Sequence, residues 1–153
     1  MVRTADLSDA VRATVTTVPC PSFETKPWTT PAPAAHRNVA VVSSAGLSLR
    51  GQRPFRGGEA GYRDIPHDTS PADVLMSHVS VNYDRSGFQL DPEVAFPRRR
   101  LDELVDEGVI GSVAQTHYSF MGATDPAAME EDARALAASL RERGVNTVAL
   151  IPV

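Results

Sequence analysis

A chain of 153 residues, 42% hydrophobic and 22% charged, is long enough for one domain with a real core and too short for two ordinary ones. A net charge of -4 argues against a nucleic-acid or anionic-membrane surface. No apolar run approaches the roughly 20 residues of a membrane span, and Met1 to Arg12 has no apolar stretch of the kind a secretory signal needs. The single cysteine, Cys20, excludes an internal disulfide, a CxxC redox pair and a cysteine zinc site. These exclusions together point to a cytoplasmic protein.

In chain order, residues 5–14 can form a short helix. Pro19, Pro21, Pro27, Pro31 and Pro33 then remove backbone donors and fix φ, so regular structure is not expected before Ala35. Residues 1–37 therefore read as a largely irregular arm. Phe23 and Trp28 suggest that it lies on something apolar, and Cys20, between two prolines, reads as a packing cysteine rather than a reactive thiol.

A single domain is expected over residues 38–153. Val39 to Val42 is an apolar run that breaks into Ser43, Ser44, Ala45 and Gly46, the pattern of a buried strand entering a small-residue turn. Residues 50–61 read as an exposed loop, and Tyr62 to Pro66 as a short strand. Val79 and Val81 alternate with Ser80 and Asn82, which predicts a half-buried strand.

Pro97 suits a first helical turn, with Leu101, Leu104 and Val105 on one face and Gly108 as the stop. Arg98, Arg99 and Arg100 are answered by Asp102, Glu103, Asp106 and Glu107. They read as a solvated helix start rather than a phosphate site. A second helix is predicted from an Asp125 cap and Pro126 at the first position. Met129, Ala133, Leu136, Ala137 and Leu140 form its stripe, and Gly144 ends it. Val145 to Val153 follows as a buried strand. Helix, glycine and apolar strand make half of a βαβ unit. The expected fold class is α/β, a mainly parallel sheet flanked by helices in three layers and preceded by the extended Pro-rich arm.

In open parallel sheets ligands bind beyond the carboxyl ends of the strands. The turn at Ser43, Ser44 and Gly46 is thus a candidate anion or carboxylate site, with ordinary turn chemistry as the alternative. His78, with Tyr83 and Asp84 beyond the expected strand, is a candidate for proton transfer, or else a structural histidine. His117, followed by Ser119 and Gly122, is a second candidate on the same terms. A metal site of His78, Asp84 and His117 has no supporting local spacing, so no metal is expected.

Several segments resemble one family. Phe96-Pro97, Arg100-Leu101, Glu103-Leu104-Val105, Glu107-Gly108 and Ile110-Gly111 follow F-P-x-x-R-L-x-E-L-V-x-E-G-x-I-G. Thr116 to Gly122 follows T-H-Y-S-F-M-G. Pro27-Trp28-Thr29, Asn38 to Gly46, Gly58 to Pro66, Ser77-His78, Tyr83-Asp84 and Asp91 extend the match in order, with Glu59, Gly61 and Tyr62 departing from it. Over roughly Pro27 to Val153 the chain resembles the B component (selenoprotein B) of the glycine, sarcosine, betaine and D-proline reductases.

The resemblance implies a thiol- or selenol-dependent oxidoreductase that reductively cleaves a C–N bond of an amino acid or derivative. It also implies a partner reductase subunit that holds the substrate through a pyruvoyl group. The family's selenocysteine or cysteine follows the last strand, directly after the position of Val153. A UGA codon read as stop, or a sheet completed by a partner or a second copy, are the two expectations for that end. An open strand edge there predicts association. The non-enzymatic alternative is a binding or assembly module of the same fold without the redox residue.

Overall fold

The computed structural model describes residues 4–17, 22, 24–81 and 83–153. Cys20 and Phe23, with Pro19 and Pro21, lie outside the described residues. In the arm, helix α1 spans Asp9–Thr17 and buries nothing. Trp28 is 89% exposed, so the packing expected of it is not made among the described residues.

From Asn38 the chain is α/β. Strand β1 (Asn38–Ser43) lies inside a mixed sheet. It pairs in parallel with β5 (Ser112–Val113) through Asn38 and Val39, and with β6 (Thr116–Ser119) through Val42 and Ser43. Strand β7 (Thr147–Ile151) pairs in parallel along Val39 to Ser43. A strand has two edges, so β5 and β6 share one side of β1 and β7 takes the other. Strand β3 (Arg63–Pro66) runs antiparallel to β6, so the sheet is mixed. A separate antiparallel pair, β2 (Leu47–Leu49) with β4 (Val74–Met76), was not foreseen.

The pleat of β1 explains the burial of both its faces. Val39 and Val41 join Ile65, Phe96, Ile110 and Leu101 of helix α3 (Arg98–Asp106). Ala40 points the other way, toward Tyr118, Phe120, Val145 and the leucines Leu136 and Leu140 of helix α4 (Glu130–Glu142). A helix thus covers each face, as alternating side chains on a doubly buried strand require. Ile65 is fully buried at the centre of the first cluster. Replacing it with alanine is expected to cost about 2–5 kcal/mol in urea unfolding, and a change under about 0.5 kcal/mol would mean that the site is not packed as described.

Four expectations need correction. The strand expected around Val79 and Val81 is absent: the segment is a loop that leads into a short helix, α2 (Ser86–Leu90), and Val81 is 91% exposed. The Ser80 N–H donates to His78 Nδ1, and the Arg85 guanidinium takes the carbonyls of His78 and Ser80. Side chains have claimed the backbone groups that a ladder would use.

Helix α4 starts four residues later than Pro126. The Asp125 carboxylate accepts the Ala127 N–H and caps a tight turn instead, whose bonds run from Ala128 to Asp125 and from Met129 to Pro126. Strand β7 is only half buried: Leu150 is 72% exposed, because nothing among the described residues covers that face. Arg98 is not solvated. It is buried, and its guanidinium donates to the carbonyls of Pro66, His67 and Thr69, stapling the turn after β3 to α3. Gly108 and Gly144 do end their helices, each with φ above +70°.

Candidate functional site

The carboxyl ends of β1, β6 and β7 are tied together by backbone groups. Ser44 N–H donates to the Ile151 carbonyl (3.0 Å), Gly122 N–H to the Ser44 carbonyl (2.8 Å), and Gly46 N–H to the Phe120 carbonyl (2.9 Å). The Val153 N–H donates to Ser44 Oγ at 2.8 Å. Two glycines make this possible. A Cβ on Gly122 would stand 2.7 Å from the Ser44 carbonyl oxygen. Gly46, at φ +65°, would place one 3.1 Å from the backbone of His78. Beside this junction lies a cleft of about 260 Å³, lined by His78, Ser80, Tyr83, Gly122, Ala123 and Val153.

His78 is 6% exposed. Its Nδ1 accepts the Ser80 N–H at 3.2 Å, so the neutral ring carries its proton on Nε2. That Nε2 is buried and has no hydrogen-bond partner among the described residues. Burial, followed by the charge of Arg85, holds the imidazole below its ordinary pKa and so favours the neutral ring. Tyr83 leans on it, with ring centres 5.0 Å apart. Burial also raises the Tyr83 phenol above its usual value. Asp84 does not pair with His78. It is exposed at the loop surface, where its carboxylate accepts the Ser86 N–H and lies below its ordinary pKa.

Ser43 and Ser119 are near the junction but fully buried. Ser43 Oγ accepts the Ala45 N–H (3.3 Å). Ser119 Oγ accepts the Leu47 N–H (2.8 Å) and donates to the Ser43 carbonyl (3.0 Å). Both hydroxyls are spent holding the turn. Ser43 and Ser44 also border an apolar groove of about 320 Å³ reaching to Leu150.

His117 belongs to a different arrangement. It lies within β6, not at its end, and is fully buried. The Val41 N–H donates to its Nδ1 (3.0 Å), filling a gap between the β5 and β6 pairings of β1. Nε2 therefore bears the proton and donates to His67 Nδ1 at 2.9 Å. His67 Nε2 in turn faces Asp102 Oδ1 at 3.0 Å. Burial first, then the charges of His67 and Arg98, lowers the His117 pKa to about 3. The sequence reading missed His67 and Asp102. They lie 35 positions apart, on different elements, and no local pattern links them.

Among the described residues Arg12 Nε, Arg98 Nε and the Tyr118 hydroxyl are also buried donors without a partner, the last bordering a cleft with Asn38 and Val145 at the amino ends of the strands. His78, Asp84 and His117 are not gathered. Among the described residues no group of three histidine, cysteine, aspartate or glutamate side chains is placed to hold a metal ion. Among them, too, no helix is long and apolar enough to cross a membrane. No family model, curated protein or solved structure matches the chain.

Proposed function

We propose that this chain is the substrate-handling part of a cytoplasmic thiol- or selenol-dependent reductase of the B-component type, acting on a small amino acid or derivative. The observation that carries this reading is the cleft at the carboxyl ends of three parallel strands, with the buried His78 ring in its wall. The reading takes the sheet as the middle of a three-layer, mainly parallel fold with a Pro-rich arm in front. In the family it resembles, the redox residue follows the last strand, and Val153 lines this cleft. The reading assigns recognition of the substrate to this cleft and leaves electron transfer to the redox residue of the family the chain resembles. When present, a selenol or thiol would supply the nucleophile and a partner's pyruvoyl group would hold the amino acid.

The test is to follow backbone amide resonances while glycine, sarcosine, betaine and D-proline are added, free and charged onto a pyruvoyl-bearing partner subunit. Saturable shifts at Ser44, Gly122 and Val153 are expected with at least one of them. Silence at all three with every ligand would end the reading.

The open edge of β7 favours a second reading, a binding or assembly module that meets a partner subunit or a second copy there. Leu150 is exposed on that strand beside the apolar groove. Thiol-dependent amine release in the presence of the partner separates the two readings, because an assembly module associates without turnover.

A further inference from the structure

We propose that His78 anchors a small-carboxylate site, its Nε2–H donating to one carboxylate oxygen of a ligand in the strand-end cleft. The inference rests on the reading of that cleft as the substrate site and names the group that recognises the substrate.

Three observations converge on it. The first is the orphaned donor. Buried polar groups in folded proteins are almost always hydrogen-bonded, so a ring nitrogen that meets neither solvent nor protein calls for a partner from outside. The Ser80 N–H occupies Nδ1, which leaves Nε2 as donor only in the neutral ring. The missing partner is therefore an acceptor.

The second is charge. Arg85 donates to the carbonyls of His78 (2.6 Å) and Ser80 (3.1 Å), which places its cation against the same loop. Among the described residues no carboxylate lies within ion-pair distance of it. An anionic acceptor is favoured over a neutral one.

The third is rigidity and size. The His78 backbone rests on Gly46, which has no room for a Cβ, and Arg85 clamps its carbonyl. The backbone that carries the ring is thus held in place before a ligand arrives, and the side chains that cover Nε2 must turn aside to admit the ligand's oxygen. A cleft of about 260 Å³ suits a molecule of amino-acid size, and Ala123 and Val153 offer apolar surface to the rest of it.

The experiment reads the ring nitrogens of His78 by long-range proton–nitrogen correlation on labelled protein. Without ligand, Nδ1 is expected as the bare nitrogen and Nε2 as the protonated one. Sodium acetate, glycine, betaine and D-proline are then added, with methylammonium chloride as the control lacking a carboxylate. A saturable Nε2 shift with acetate and the amino acids, and none with methylammonium, is the expected result. In His78→Phe, verified as folded by its melting curve, the response of the Gly122 and Ala123 amides should need roughly tenfold more ligand.

Amide shifts in the cleft with an unmoved Nε2 would overturn the inference and leave the substrate-site reading standing. An Nε2 response to acetate but to no amino acid would uphold the carboxylate site and remove the amino-acid reading. No Nε2 response to any carboxylate, or an equal response to methylammonium, would overturn the inference.

Discussion

Between pH 7 and pH 5 the protein is expected to lose about 2 kcal/mol of unfolding free energy through His117 alone, before ordinary carboxylates begin to titrate. In the folded chain the His117 pKa stands near 3, against 6.5 for a free imidazole. The folded state therefore refuses a proton that the unfolded state accepts between these values. Where the unfolded state binds more protons, stability rises with pH. The contribution is complete above about pH 6.5 and is lost as pH falls toward 3, when it totals on the order of 4 kcal/mol. That is a large share of the roughly 5–15 kcal/mol that holds a domain together.

The hydrogen bonds give the reason. A second proton on His117 can only go to Nδ1, where the Val41 N–H already points. Arg98, whose head holds the turn at His67, adds further repulsion, while Asp102 reaches only the far nitrogen of His67. Urea unfolding at pH 7, 6 and 5 checks this. A stability that stays flat over that interval would show that His117 is not the neutral acceptor described here.

Gly122→Ala is expected to cost about 1–3 kcal/mol and to abolish the ligand response of the cleft. The new Cβ would stand 2.7 Å from the Ser44 carbonyl oxygen, and that oxygen accepts the Gly122 N–H. Backbone meets backbone, so no flexible side chain can yield. The ends of β1 and β6 must part instead, and Gly122 is itself in the cleft wall. Gly57→Ala is the control: nothing lies within 4 Å of a Cβ there. Its unfolding midpoint should stay near that of the parent chain. Equal midpoints for the two variants would mean that the strand ends are not joined through Gly122.

The elements that were legible in the sequence are those whose pattern is local. The run Val39 to Val42 announced β1, and Gly108 and Gly144 announced the ends of α3 and α4. Val79 and Val81 show the opposite case. Their alternation is that of a strand, yet His78 and Arg85 take the backbone groups the strand would need. Arg98 reads as a surface charge among three arginines, and becomes a buried staple because the turn after β3 offers it three carbonyls.

The same division runs through the candidate site. Ser43, Ser44 and Gly46 could be placed at a strand end from sequence, because the apolar run Val39 to Val42 ends where they begin. Which of them hold the turn and which border a cleft depended on hydrogen bonds between segments more than seventy positions apart. His78 and His117 read alike as single histidines. Tertiary structure alone made one an orphaned donor beside a cleft and the other a link from Val41 through His67 to Asp102. By itself the sequence determined the α/β class, strands β1, β3 and β7 and helices α3 and α4, since hydrophobic period and glycine stops act over a few residues. The protonation and exposure of His78 and His117 were decided by the tertiary structure, since both depend on which distant groups the fold brings within about 3 Å.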